Sequence, residues 1–183
     1  MKIIFFAEVQ WNYMHHRKRG ILSRLPHDWQ IIYIEPFRLG TKWSWYEEKN
    51  VNVRTIFCYK KGLDKLFNMV LARRLLAAIN FLFIKFLLFQ SFRGRADVAI
   101  VSNYGVFAPR LFRKFASKLV VDINDIPAGF GVPDWFEDRF RETVEVADQV
   151  IVASKEWQRY RQDAVYIGNG VDFEAFNIHR RHL

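Results

Sequence analysis

Short apolar runs rich in branched side chains recur along the chain at 3–6, 31–34, 51–57, 98–101, 119–121, 150–153 and 165–167, with helical patterns between most of them. Runs of this length bury both faces of a strand, as parallel strands flanked by helices do. Their alternation with helices predicts an α/β, Rossmann-like domain. It has a mainly parallel sheet of six or seven strands and right-handed crossovers that put helices on both faces. A length of 183 residues fits one such domain. No internal repeat or low-complexity linker divides it.

Two segments break the alternation. Residues 36–50 hold Pro36, Gly40 and the cluster Trp43, Trp45 and Tyr46, and read as a loop. Residues 126–133, with Pro127, Gly129 and Gly131, read as a second loop leading into a helix that begins at or is capped by Asp134.

Residues 63–92 predict one long helix or two in succession, interrupted by Arg73, Arg74 and Lys85. The uncharged stretch from Leu75 to Ile84 is shorter than the roughly 20 residues that span a bilayer. The second half is apolar on nearly every face. Two readings stay open: a core helix on the sheet, or a monotopic membrane contact with Arg93 and Arg95 at lipid phosphates.

Charge is unevenly placed. Residues 1–96 hold 17 basic and 6 acidic side chains, and residues 97–183 hold 11 and 13. A basic half suits an anionic partner such as a phosphorylated substrate, anionic lipid or nucleic acid. Hydrophobic residues make up 51% of the chain, which excludes a disordered chain. The single cysteine, Cys58, forms no internal disulfide and reads as a buried, inert thiol. LysIleIlePhePheAla at the start enters a strand pattern and lacks the long apolar core of a signal peptide.

Ligands of an open parallel sheet sit beyond the carboxyl ends of its strands. Polar residues gather there. Glu8, Gln10, Trp11, Asn12, His15, His16, Arg17, Lys18 and Arg19 follow the first run. Asp122, Asn124 and Asp125 follow the run at 119–121, Ser154 and Lys155 the next, and Gly168, Asn169, Gly170 and Asp172 the last. A carboxylate there can deprotonate an attacking hydroxyl. Asp125 lies further into its loop than Asp122 and is the candidate base, with Asp122 as its support. Turn capping is the alternative role for both. The start of the helix after the first strand favours anions, and Arg17 and Arg19 add charged forks. Two adjacent histidines point apart on a helix, so no metal site is expected. Neither a GlyxGlyxxGly after the first strand nor a GlyxxxxGlyLys is present, which removes the main support for dinucleotide and P-loop readings.

The segment AlaAspGlnValIleValAlaSer (Ala147 to Ser154), followed by IleGlyAsnGlyValAsp and Phe176, resembles the end of the amino-terminal domain of GT-B-type glycosyltransferases. ValValAspIleAsnAspIlePro from Val120 is similar to the preceding strand in the subgroup that decorates glycolipids and surface polysaccharides. The loop AlaGluValGlnTrpAsnTyr after the first strand departs from the Gly-Gly pair found there in many relatives. The resemblance implies an acceptor-binding domain, with Glu8, Trp11, His16, Arg17 and Arg19 toward the acceptor. Asp125 and Asp122 would serve catalysis, and Ser154, Lys155, Asn169 and Gly170 would border the donor. It implies no cofactor, the nucleotide-sugar being a co-substrate held mainly by a carboxyl-terminal domain that these residues do not include.

On this reading the chain alone is inactive. Its partners are that donor-binding domain, a lipid-linked or polysaccharide acceptor, and an anionic membrane surface, with nucleic acid disfavoured. Its place would be cytoplasmic, peripheral at the inner face of the cell membrane. The alternative is a non-enzymatic basic Rossmann-like module that binds membrane or nucleic acid.

Overall fold

The computed structural model describes residues 1–13, 17–38, 40, 42–59 and 62–169. Eight strands form one sheet: β1 (Lys2–Phe6), β2 (Gln30–Pro36), β3 (Trp45–Glu48), β4 (Val51–Ile56), β5 (Ala96–Val101), β6 (Ala116–Ile123), β7 (Gln149–Val152) and β8 (Val165–Tyr166). Their spatial order is β3-β4-β2-β1-β5-β6-β7-β8. Every neighbouring pair is parallel except β3 with β4. All seven expected apolar runs are strands of this sheet, and the Rossmann-like class holds.

The eighth strand corrects the expected count of six or seven. β3 lies inside the segment read as a loop. It pairs Trp45 with Arg54 and Glu48 with Val51, closing a hairpin through Lys49 and Asn50. Lys49 takes a positive φ of 55°. Tight hairpins usually place Gly or Asn at such a position, so the turn carries no obvious signal. Charged side chains on β3 suit an edge strand, which must resist pairing with another chain.

Helices cover both faces. α1 (Arg17–Leu22) lies on one, and α3 (Val70–Phe92), α4 (Pro109–Phe112) and α5 (Asp134–Val146) lie on the other. The larger core joins Phe6, Ile34, Val101 and Val121 of the sheet to Ile84, Phe112 and Phe140 of the helices. Four rings, Phe6, Phe107, Phe112 and Phe115, pack tilted or edge-on at its centre. The smaller core sets Phe5, Tyr33, Val53 and Trp11 against Leu22.

The expected helical stretch resolves into two pieces, α2 (Asp64–Asn68) and α3, with Met69 in extended geometry between them. α3 ends at Arg93, whose left-handed φ of 54° turns the chain into β5. α5 begins at Asp134 directly after Pro133, and Asp134 and Glu137 place negative charge at its amino end.

Candidate active site

The order β1-β5-β6-β7-β8 sets the carboxyl ends of five parallel strands side by side. The loops leaving them therefore share one edge. Two of the candidate residues, Arg17 and Asp122, meet across it. Arg17 Nη1 donates to Asp122 Oδ1 at 2.5 Å, and Arg17 Nη2 donates to the Ile167 carbonyl at 3.1 Å. One guanidinium thus ties the helix after β1 to the ends of β6 and β8. Lys18 forms an ion pair with Glu8.

Asp125 is exposed and accepts a 3.2 Å bond from Asn124 Nδ2, whereas Asp122 is buried. An incoming hydroxyl can reach Asp125. Asp122 is already engaged by Arg17.

Trp11 lies beneath the loop, 1% exposed. Its backbone N–H donates to Glu35 at 2.8 Å and its indole Nε1 to Glu48 at 2.9 Å. The indole bond holds the Glu48 carboxyl below its usual range, helped by Arg19, which donates to Glu48 at 3.0 Å. The Arg19 guanidinium lies over the Trp11 ring at 5.6 Å. Trp11 and Arg19 therefore brace the first loop against β2 and β3. Tyr33 completes the brace, its hydroxyl donating to the Val9 carbonyl at 3.0 Å.

At the other side of the edge, Lys155 is exposed with its ammonium over the Tyr166 ring at 5.6 Å, and Asn169 is exposed. Ser154 is half-buried where β7 turns into a short 3₁₀ segment, Lys155–Tyr160. His15, His16, Gly170 and Asp172 lie outside the described residues.

The loop after β5 belongs to the site and escaped the sequence reading. Ser102, Asn103, Tyr104 and Gly105 are buried between the ends of β1 and β6. The Phe6 carbonyl accepts both the Ser102 and Asn103 N–H groups, at 2.9 and 3.0 Å. Asn103 Nδ2 donates to the Ala7 carbonyl at 3.1 Å, and its Oδ1 accepts the Gly105 N–H at 3.1 Å. A side chain at Gly105 would meet Phe136 at 2.8 Å and Tyr59 at 3.0 Å. Burial pushes the Tyr104 phenol well above its ordinary value, and the charges of Glu8, Asp122 and Asp125 push it further. The hydroxyl stays protonated and able to donate. The signal was there: SerAsnTyrGly follows the run at 98–101 as AspIleAsnAsp follows the run at 119–121.

Buried polar atoms nearly always find partners. Among the described residues, Glu8 Oε2, Arg17 Nε, Ser102 Oγ and Tyr104 OH are buried without one, and all four belong to this edge. A fifth, Arg54 Nε, lies elsewhere. Cavities form away from the edge. One of about 600 Å³ sits among Trp29, Gln30, Asn50, Asn52 and Phe92 at the amino-terminal ends of the strands. Another of about 320 Å³ lies beside α5 at Arg141 and Tyr160. The first is also lined by His27, Glu47 and Lys49, and the second by Glu145. The carboxyl edge is the better site on chemical grounds, as an open surface of polar loops. No cluster of three or more His, Cys, Asp or Glu side chains suited to a metal occurs among the described residues.

Fold and edge together define a Rossmann-like domain of the kind found in GT-B glycosyltransferases. UGT89C1 from Arabidopsis thaliana, solved with UDP, superposes with a TM-score of 0.54 at 13% identity, over 93% of this chain and 48% of that one. The same protein solved with UDP-L-rhamnose gives 0.53 at 14% identity, over 92% and 48%. The chain thus spans about half the length of these solved structures. Compared with protein-family models and with curated proteins, the sequence matches none.

Proposed function

We propose that these residues form the acceptor-binding half of a glycosyltransferase that moves a sugar from a nucleotide-sugar to a hydroxyl of a lipid-linked or polysaccharide acceptor. The observation that carries this reading is the carboxyl edge of the sheet. An exposed carboxylate, Asp125, shares this edge with four buried polar atoms that lack protein partners among the described residues. A polyhydroxylated acceptor supplies both donors and acceptors for such atoms.

Asp125 takes the proton from the attacking hydroxyl as the bond to the sugar forms. The Arg17–Asp122 ion pair fixes the floor of the loop that presents Asp125. Lys155, Ser154 and Asn169 face the donor across the cleft, and a second Rossmann-like domain holds most of the nucleotide. The fold likeness to glycosyltransferases supports this division of labour.

An activity assay tests it. The 183-residue chain alone should neither turn over nor bind UDP or a UDP-sugar stoichiometrically by calorimetry. The same residues joined to a donor-binding domain should transfer labelled sugar to a glycolipid or oligosaccharide acceptor. Robust turnover by the 183 residues alone would refute the reading.

A further inference from the structure

α3 leaves a long apolar face uncovered. At 100° per residue, Leu71, Leu75, Ile79, Leu82, Phe86 and Phe89 share one side of the helix. All six are exposed, with Leu71 77%, Leu82 70% and Phe89 71% accessible. The stripe is about 27 Å long at 1.5 Å per residue. The opposite side is bound into the core through Ile84, Leu87, Leu88 and Phe92. Mean hydropathy over the most apolar 18-residue stretch of the helix is 1.9, yet only 28% of that stretch is buried. A stripe this large on a soluble surface marks something that covers it.

The chemistry around the stripe says what that is. No carboxylate occurs from Lys65 to Arg95, while Lys65, Arg73, Arg74, Lys85, Arg93 and Arg95 all lie there. By the same helical geometry Arg74 and Lys85 border one side of the stripe. On the other side Trp45 of β3 packs on Phe83 at 5.9 Å and is 52% exposed. The Arg54 guanidinium stacks on that indole at 4.5 Å. An apolar strip with cations on one flank, and an accessible tryptophan with its own cation on the other, matches a bilayer surface. Acyl chains meet the strip, an indole sits at headgroup depth, and anionic phosphates meet the cations.

We infer that α3 docks this chain on anionic phospholipid membranes, lying in the plane of the surface with Leu82, Phe86 and Phe89 inserted. The helix cannot cross the bilayer in this fold, because its inner side is part of the sheet's core. The inference stands apart from the glycosyl-transfer reading, since it uses none of the residues at the carboxyl edge.

The test is co-sedimentation with vesicles of phosphatidylcholine mixed with phosphatidylglycerol, and with phosphatidylcholine alone. The chain should bind the mixed vesicles at low salt and bind phosphatidylcholine alone at least about tenfold more weakly, given roughly fivefold per basic residue near an anionic surface. The variant Leu82→Ser/Phe86→Ser/Phe89→Ser alters only exposed side chains. It should keep its far-ultraviolet circular dichroism and lose at least about tenfold in affinity, the apolar contribution of partly inserted rings. Arg74→Glu should weaken binding by about 30-fold through its two-charge change. Failure to bind mixed vesicles at low salt would overturn the proposal, as would unchanged binding by both variants. A dimer in sedimentation velocity that the triple variant dissociates would assign the stripe to a second copy of the chain and overturn it equally.

Discussion

Arg17 and Asp122 stand 105 residues apart in the chain and 2.5 Å apart in the fold, with both side chains nearly buried. One opens the helix after the first strand, and the other is the penultimate residue of the sixth strand. Their contact locks two loops of the candidate site to each other. Removing one partner leaves the other charged and without its counterion in a dry place. Arg17→Ala should therefore cost on the order of 3 kcal/mol of stability. Urea unfolding of Arg17→Ala, Asp122→Ala and the double variant checks this. The double variant should be more stable than the sum of the two losses requires.

The brace under the first loop gives a second expectation. Trp11→Phe keeps an aromatic side chain, though a smaller one, and deletes the indole donor to Glu48. A loss of about 1 to 2 kcal/mol follows. Glu48 carries a lowered carboxyl pKa, so its stabilisation is present at neutral pH and fades as pH falls through the folded-state value. The group is about one-third exposed, so solvent screening keeps the effect small. In Trp11→Phe the acid side of the stability profile should flatten, measured by urea midpoints across the carboxylate range.

Gly105 sits where any side chain collides. Gly105→Ala would drive a methyl group into the Phe136 ring and the Tyr59 Cβ. A cost of about 1 to 3 kcal/mol is expected for such overpacking. A thermal midpoint equal to the parent would show that the loop after β5 yields.

Burial pushes the Cys58 thiol up to about 12. The thiolate is the reactive form, so the folded protein should resist an aromatic disulfide reagent at mildly alkaline pH and react once urea unfolds it. Fast labelling of the native state would contradict the burial.

In the enzyme that includes a donor-binding domain, Asp125→Asn should lower turnover by about 10²- to 10⁴-fold while acceptor affinity stays near the parent value. Steady-state kinetics separates the two. A near-normal rate would move the role to Asp122 or His16.

Much of the fold was legible because parallel strands buried on both faces write continuous apolar runs, as IleIleTyrIle in β2 does. β3 was illegible because its four residues, two aromatic and then two acidic, show no period-two pattern, and its turn uses Lys49 rather than glycine. The split between α2 and α3 was left open by the sequence, since Met69 breaks the helix without Pro or Gly. At the site, the rule that polar residues collect past strand ends located Glu8, Asp122 and Asp125. It could not show that Trp11 points inward, because an indole serves a core as well as a sugar face. It passed over Tyr104, whose surroundings depend on α5 packing from 30 residues further on. Phe140 of that helix lies edge-on to the Tyr104 ring at 4.9 Å.

The central claim is that acceptors bind at the carboxyl edge. Backbone amide shifts of the isotopically labelled 183-residue chain, titrated with glycolipid headgroups and short oligosaccharides, test it most directly. The account predicts shifts in residues 102–106 and 122–125, lost in Asp122→Ala. Shifts confined to the cavity at Trp29, Asn50 and Asn52 would contradict it, and so would none at saturating acceptor.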